Sequence, residues 1–203
     1  MELCICSEFE MNRENWWATP IWTTQNSIDC QSAANYCLEL RKNNFPNRTR
    51  SNYGGWQSKD LILSDHAPLN DIFCLIKNGI NDICADISQS FKCELNNIWI
   101  NINEKNNGNN EHVHPNSTFS GTIYIQTDEN TGNIIFKNPY FPIQHYNFVV
   151  PEDSNIFYQR VTYRPRNGML IMFPAWMPHF VEPSNSDNSR ISISFNISQL
   201  IKD

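Results

Sequence analysis

Apolar positions recur at helical spacing in the first half of the chain and alternate with polar ones in the second. In residues 19–44, Ala33, Tyr36, Cys37 and Leu40 lie close to one helical face. Ser27 or Asp29 is placed to cap this helix, and the NNFPN cluster to end it. A turn-rich stretch, RSNYGGWQS, follows. Residues 66–91 then carry Leu69, Ile72, Phe73, Ile76, Ile80, Ile83 and Ile87, the stripe of an amphipathic helix. From Cys93 the period becomes two. LNNIWININ, SGTIYIQ, NIIFKNP, NFVVPE, GMLIMFP, FVEP and RISISFNIS read as short strands divided by Gly, Pro and Asn clusters. Strands at this spacing predict a barrel or jelly roll. The expectation is one domain over residues 1–203, mainly β with N-terminal helices (α+β). Residues 1–92 are mostly helix and loop and buttress a β-core over 93–203.

Composition narrows the class. The chain has 203 residues, 40% of them hydrophobic, enough for a full core. No apolar run approaches the ~20 residues that span a bilayer, and the start, MELCICSEFEMNRENWW, lacks the pattern of a secretion signal. The net charge of −6 argues against binding a nucleic-acid backbone. Arg160, Arg164 and Arg166 read as solvated charges, or as a rim that attracts an acidic substrate. Seven cysteines, an odd number with no CxxC pair, read as reduced thiols. Together these predict a cytoplasmic protein that is neither secreted nor membrane-bound.

Candidate chemistry begins at EHVHPNSTFSGTIYI. On a strand, residues two apart face the same side, so His112 and His114 can reach one metal ion. His179, after the apolar GMLIMFP strand and a Pro-flanked turn, is the candidate third ligand. His66 and His145 read as surface or hydrogen-bonded residues. In RISISFN, Ile191, Ile193 and Phe195 are expected to pack outward on the helices. Arg190, Ser192, Ser194 and Asn196 would then point into the barrel. A buried guanidinium needs an anion, either a bound carboxylate, whose geometry its fork matches, or an internal Asp or Glu.

SNYGGWQS (51–58), WININ (99–103), HVHPNSTFSGTIYI (112–125), IIFKNP (134–139), GMLIMFPAWMPHFVEP (168–183) and RISISFN (190–196) together resemble the iron(II)- and 2-oxoglutarate-dependent oxygenases. Within them the chain is similar to a small subfamily found in bacteria and in phages of marine cyanobacteria. The resemblance implies a double-stranded β-helix, ferrous iron, 2-oxoglutarate as cosubstrate and O2. It makes His112 the first iron-binding histidine, His179 the distal one, and Arg190 with Ser192 the grip on the far carboxylate of 2-oxoglutarate. His114 stands where the wider superfamily usually has Asp or Glu, and is read as a third ligand, the alternative being that it does not ligate and water fills its place. Tyr124, Ser120 or Thr122 would add a hydrogen bond to the cosubstrate, with Tyr124 favoured for its reach. Asn101 and Asn103 would line the cavity or satisfy neighbouring backbone. Trp56 and Gln57 read as a lid or as a structural turn, and Trp176 as a wall of the site or as packing.

The implied activity is hydroxylation of a protein or peptide side chain or a small metabolite, with release of succinate and CO2. Two other classes fit the same histidines. One is a cupin-like metal enzyme that does not use 2-oxoglutarate, and the other a non-catalytic jelly-roll binding or virion protein. Trp16, Trp17 and Trp22 are assigned to the core rather than to an interface. Oligomeric state is not legible.

Overall fold

Both patterns end at caps and faces that the fold uses. The structure is a computed structural model describing residues 18–140 and 158–200. Helix α1 (Cys30–Lys42) starts where Asp29 accepts a hydrogen bond from the Ser32 amide at 3.0 Å, and stops at Asn43 and Asn44, the latter with φ 57°. Asn tolerates that left-handed conformation, which ends helices. Two short 3-10 turns, Leu63–Asp65 and Ala67–Leu69, lead into α2 (Asn70–Ile87). Leu69, Ile72, Phe73, Ile76, Ile80 and Ile83 are buried. Ile87 departs from the expectation and is exposed, because it ends α2 beyond the sheet contact.

The strands are β1 (Trp22–Gln25), β2 (Asn47–Arg48), β3 (Asn52–Tyr53), β4 (Trp56–Ser58), β5 (Cys93–Asn103), β6 (Gly108–His112), β7 (Phe119–Gln126), β8 (Ile134–Lys137), β9 (Arg160–Tyr163), β10 (Met169–Pro174), β11 (His179–Val181) and β12 (Arg190–Gln199). They form two antiparallel sheets, β1-β10-β7-β12-β5-β4-β2 and β3-β6-β11-β8-β9. From β5 onward the chain passes from one sheet to the other at nearly every connection, the winding of a double-stranded β-helix. β1 to β4 lie in the half of the chain read as helix and loop; at two to four residues they are too short to show alternation. The polar β6, GNNEH, likewise carries no apolar period. The expected NFVVPE strand, Trp16, Trp17 and His145 lie outside the described residues.

Alternation sorts each central strand between two environments. Ile98, Ile100 and Ile102 of β5, Ile123 of β7, Leu170 and Met172 of β10, and Ile191, Ile193, Phe195 and Ile197 of β12 pack against the helices. Trp22 joins them, its ring 5.6 Å edge-on from Phe119. The opposite face of the same strands turns toward the smaller sheet, where Tyr124, Ile134, Phe136, Ile171, Phe173, Met177 and Val181 form a second cluster. The remaining inward positions are polar and form the site. Among the described residues Cys30, Cys37, Cys74, Cys84 and Cys93 are free thiols.

Gly121 is where β7 comes closest to its neighbours. A Cβ there would sit 2.5 Å from Phe195 Cζ and 2.8 Å from the Ile171 carbonyl oxygen. Gly121→Ala is therefore expected to destabilise the protein by about 1–3 kcal/mol through overpacking, read as a lower midpoint in urea. Phe195→Leu in the same chain should recover part of that loss, and strictly additive effects would contradict the contact.

Candidate active site

β6 and β11 lie side by side in the smaller sheet with His112 opposite His179. His114 lies just past the end of β6, not on the strand, but its amide donates to the Ala175 carbonyl at 2.8 Å and returns the ring to the same place. The three ring centroids are 4.3 Å (His112–His179), 5.0 Å (His112–His114) and 5.1 Å (His114–His179) apart. One ligand nitrogen from each ring lies within 4.8 Å of the other two. His179 is buried and His112 and His114 are half-buried.

Backbone carbonyls settle the tautomers of two rings. His112 Nδ1 lies 2.7 Å from the Asn110 carbonyl oxygen, and His179 Nδ1 2.9 Å from that of Met177. A carbonyl only accepts, so each Nδ1 carries the proton and donates, leaving an Nε2 lone pair for a metal. The Nε2 atoms of His114 and His179 face each other at 3.3 Å. This set of imidazole donors fits a borderline metal such as ferrous iron.

Burial lowers all three histidine pKa values. His112 is shifted down by burial, with its bond to Asn110 opposing. His114 is lowered to about 4 by burial and then by the charge His112 would carry. His179 is lowered to about 3 by burial, then by His112, with the Met177 carbonyl opposing. At neutral pH the rings are uncharged, each with one nitrogen lone pair free, as ligands must be.

The sign for stability follows. The folded-state pKa values lie below the ordinary 6.5, so below that pH the unfolded chain binds more protons than the folded one. This contribution is complete above pH 6.5 and is lost as pH falls toward 4 and then 3. The metal-free protein should lose thermal stability between pH 6.5 and 5, above the main carboxylate range, and His179→Gln should flatten the slope. A midpoint constant across that window, or an unchanged slope in the variant, would contradict the assignment.

The inner face of the larger sheet supplies the rest. Pairing sets Arg190 beside Asn103, and Ser192 between Asn101 and Tyr124. Arg190 is buried and has no carboxylate partner among the described residues, and its Nε is an orphan. Its Cζ lies 5.0 Å from the centre of the Tyr124 ring. The Tyr124 hydroxyl is also buried, and among the described residues the one polar group it interacts with is the Arg190 guanidinium, without a well-formed hydrogen bond. Burial raises its pKa and the adjacent guanidinium opposes the rise, so it remains a donor. Arg190 and Ser192 line one cleft with all three histidines, about 430 Å3 of unfilled space including its mouth. A buried cation with no carboxylate partner among the described residues, beside two hydroxyls, fits a dianionic cosubstrate.

Other candidates have partners already. The Ser120 hydroxyl donates to the Phe195 carbonyl at 3.0 Å, so toward a ligand it offers lone pairs. Asn101 accepts from Gln57 Nε2 at 3.1 Å and donates to Ser194 Oγ at 2.9 Å. Asn101 lines the cleft, with its amide held by these side chains rather than by backbone. Trp56 and Gln57 form no lid. They lie on β4, hydrogen-bonded to β5, with Trp56 against the helical core and Gln57 in the cleft. Gly54 and Gly55, at φ 63° and 67°, make the turn into that strand. Trp176 is 50% exposed and outside the cleft. His66 is buried and bonded to the Tyr36 hydroxyl at 2.9 Å. Trp99, Ser51 and Asn109 line the cleft and were not singled out from sequence. The period-two face shared by Trp99 and Asn101 carried the signal for the first.

Residues 97–196, close to half the chain, match the model of a family described as "Putative 2OG-Fe(II) oxygenase". A search among curated proteins finds no match. Among solved structures, a Pseudomonas putida prolyl-4-hydroxylase is similar over 88% of this chain and 92% of its own, with 10% identity and a TM-score of 0.64. The viral collagen prolyl hydroxylase of Paramecium bursaria Chlorella virus-1, solved with 2-oxoglutarate, covers 89% and 96% at 11% identity and TM-score 0.58. A Trichoplax adhaerens prolyl hydroxylase in complex with a hypoxia-inducible-factor peptide covers 88% and 79% at 13% identity and TM-score 0.62. At these identities the likeness establishes the fold, a double-stranded β-helix. Among the described residues no helix is long and apolar enough to cross a membrane.

Proposed function

We propose, from the premise that the chain belongs to the iron(II)- and 2-oxoglutarate-dependent oxygenase superfamily, that His112, His114 and His179 hold its iron and that Arg190 and Ser192 grip 2-oxoglutarate. The observation that carries this reading is the shared cleft: three imidazoles with ligand atoms within 4.8 Å of one another, and a buried guanidinium with no carboxylate partner among the described residues. Iron with 2-oxoglutarate and O2 supplies an oxidant able to hydroxylate a substrate C–H bond, releasing succinate and CO2.

The protein's part is placement. The Asn110 and Met177 carbonyls hold two rings with Nε2 free. Arg190 gives the far carboxylate of 2-oxoglutarate a forked partner, and the hydroxyls of Ser192 and of Tyr124, its neighbour across the strands, would donate to it. A third neutral ligand in place of a carboxylate leaves the centre one unit more positive, which favours a dianion. Asn101 takes an indirect role, orienting the neighbours that line the cleft. One domain is supported, among the described residues, by the core that the helices share with the larger sheet. The substrate is a peptide or protein side chain or a small molecule, and the prolyl hydroxylases of like fold make a peptide the first choice. The residues assign no oligomeric state, and a cytoplasmic site of action is retained from the sequence.

The direct test is succinate formation from 2-oxoglutarate by anaerobically iron-loaded protein exposed to oxygen. Turnover or saturable 2-oxoglutarate binding is expected in wild type and absent in His179→Ala. A wild-type protein that binds neither iron nor 2-oxoglutarate would end this reading.

A further inference from the structure

Two polar atoms on β4 and β5, in the same sheet as Arg190, are buried and unpartnered. Gln57 is 3% exposed and Trp99 6%. Gln57 Oε1 and Trp99 Nε1 have no hydrogen-bond partner, and both side chains line the cleft that holds the histidines. Gln57 sits opposite Asn101, and Trp99 is two residues before Asn101 on the same strand face, so the two side chains are diagonal neighbours. The Trp99 and His114 ring centroids are 6.1 Å apart. Whatever occupies this corner therefore lies beside the proposed metal centre.

The polarity of the corner is fixed by a chain of hydrogen bonds. The Ile193 carbonyl only accepts, so the Thr122 hydroxyl spends its single proton there, at 3.4 Å. Thr122 Oγ1 then accepts from Ser194 Oγ at 3.0 Å. Ser194, with its proton used, accepts from Asn101 Nδ2 at 2.9 Å. Asn101 Oδ1 is thereby turned to Gln57 and accepts from Gln57 Nε2 at 3.1 Å. The open end of the chain is Gln57 Oε1, an acceptor, and the neighbouring open group is the Trp99 N–H, a donor.

Resting on the oxygenase reading above, we infer that Gln57 and Trp99 form a substrate subsite that recognises an amide, taking its N–H at Gln57 Oε1 and its carbonyl oxygen at the Trp99 indole N–H. A carboxylate would meet the Gln57 oxygen as a second acceptor, and an ammonium would meet the indole as a second donor. A hydrocarbon would leave both buried groups unpaired, which costs binding. A trans amide carries one donor and one acceptor directed to opposite sides, and lying between the two groups it meets both. The substrate class is therefore a peptide or a carboxamide-bearing molecule, held so that carbon atoms next to its amide face the histidines.

The test is the indole N–H spectrum of 15N-labelled full-length protein titrated with N-methylacetamide, and in parallel with methyl acetate, an ester of the same shape without an N–H. The cross-peak of Trp99 is assigned by its loss in Trp99→Phe. N-methylacetamide is expected to move that peak downfield with saturable binding in the millimolar range usual for so small a ligand, and methyl acetate to bind at least about 5-fold more weakly. Gln57→Met should remove the preference for the amide. Equal shifts with the ester, 2-propanol saturating the peak as well as the amide, no saturable shift, or an amide preference intact in Gln57→Met would each overturn the subsite. The wild-type comparison needs no variant to fold. Calorimetric binding of 2-oxoglutarate to the nickel-loaded protein is measured alongside. Amide discrimination without 2-oxoglutarate binding keeps the subsite and removes the oxygenase reading, and the converse removes the subsite alone.

Discussion

His179→Ala is expected to lower ferrous-iron affinity and 2-oxoglutarate turnover each by more than about 100-fold. Loss of the groups that merely orient a metal ligand costs about 10–100-fold, and this substitution removes the ligand itself. His179 is central to the cluster: its ring touches both other histidines and packs tilted against Phe136 and edge-on against Phe173, at 5.7 and 4.7 Å between ring centroids. Alanine also opens a void there, so the variant is expected to be less stable. His179→Gln fills most of that volume and separates the two effects. It should fold with a near-native far-ultraviolet spectrum and still bind iron poorly in anaerobic equilibrium dialysis. Iron affinity within about 5-fold of wild type in His179→Gln would remove this histidine from the centre.

Arg190→Met should weaken 2-oxoglutarate binding by about 30-fold or more, since truncating one side of a buried charge pair costs about 2–5 kcal/mol. Its effect on the unliganded protein should have the opposite sign. In the absence of cosubstrate the guanidinium is buried with no carboxylate among the described residues, an unfavourable state. The unbranched Met side chain matches the stem of Arg without the charge. Its thermal midpoint without ligand is therefore expected to equal or exceed that of wild type. A midpoint that falls by many degrees would show that Arg190 supports the fold instead. Arg190→Lys keeps the charge and loses the fork, and should lie between the two in affinity.

Arg190 and Ser192 were legible in sequence for the reason that makes the strand work. In RISISFNIS, packing against helices demands Ile and Phe at every second position, so the intervening polar residues are assigned inward as soon as the apolar ones are assigned outward. α2 was legible because its stripe is long, and Ile87 broke the rule only at the frayed end. His114 was placed with His112 for a reason only half right. Strand geometry does not extend to it, and a backbone bond to Ala175 does the aligning. β4 and β6 escaped because their order comes from backbone pairing with neighbours distant in sequence, which no local period reports. The same is true of Gln57, whose place depends on Asn101 44 residues away.

X-ray absorption of the anaerobic ferrous protein counts imidazole nitrogens around the metal, in wild type and in His114→Ala. Three are expected in wild type and two in the variant. Two or fewer in wild type, or no change on replacing His114, would contradict a centre built from His112, His114 and His179.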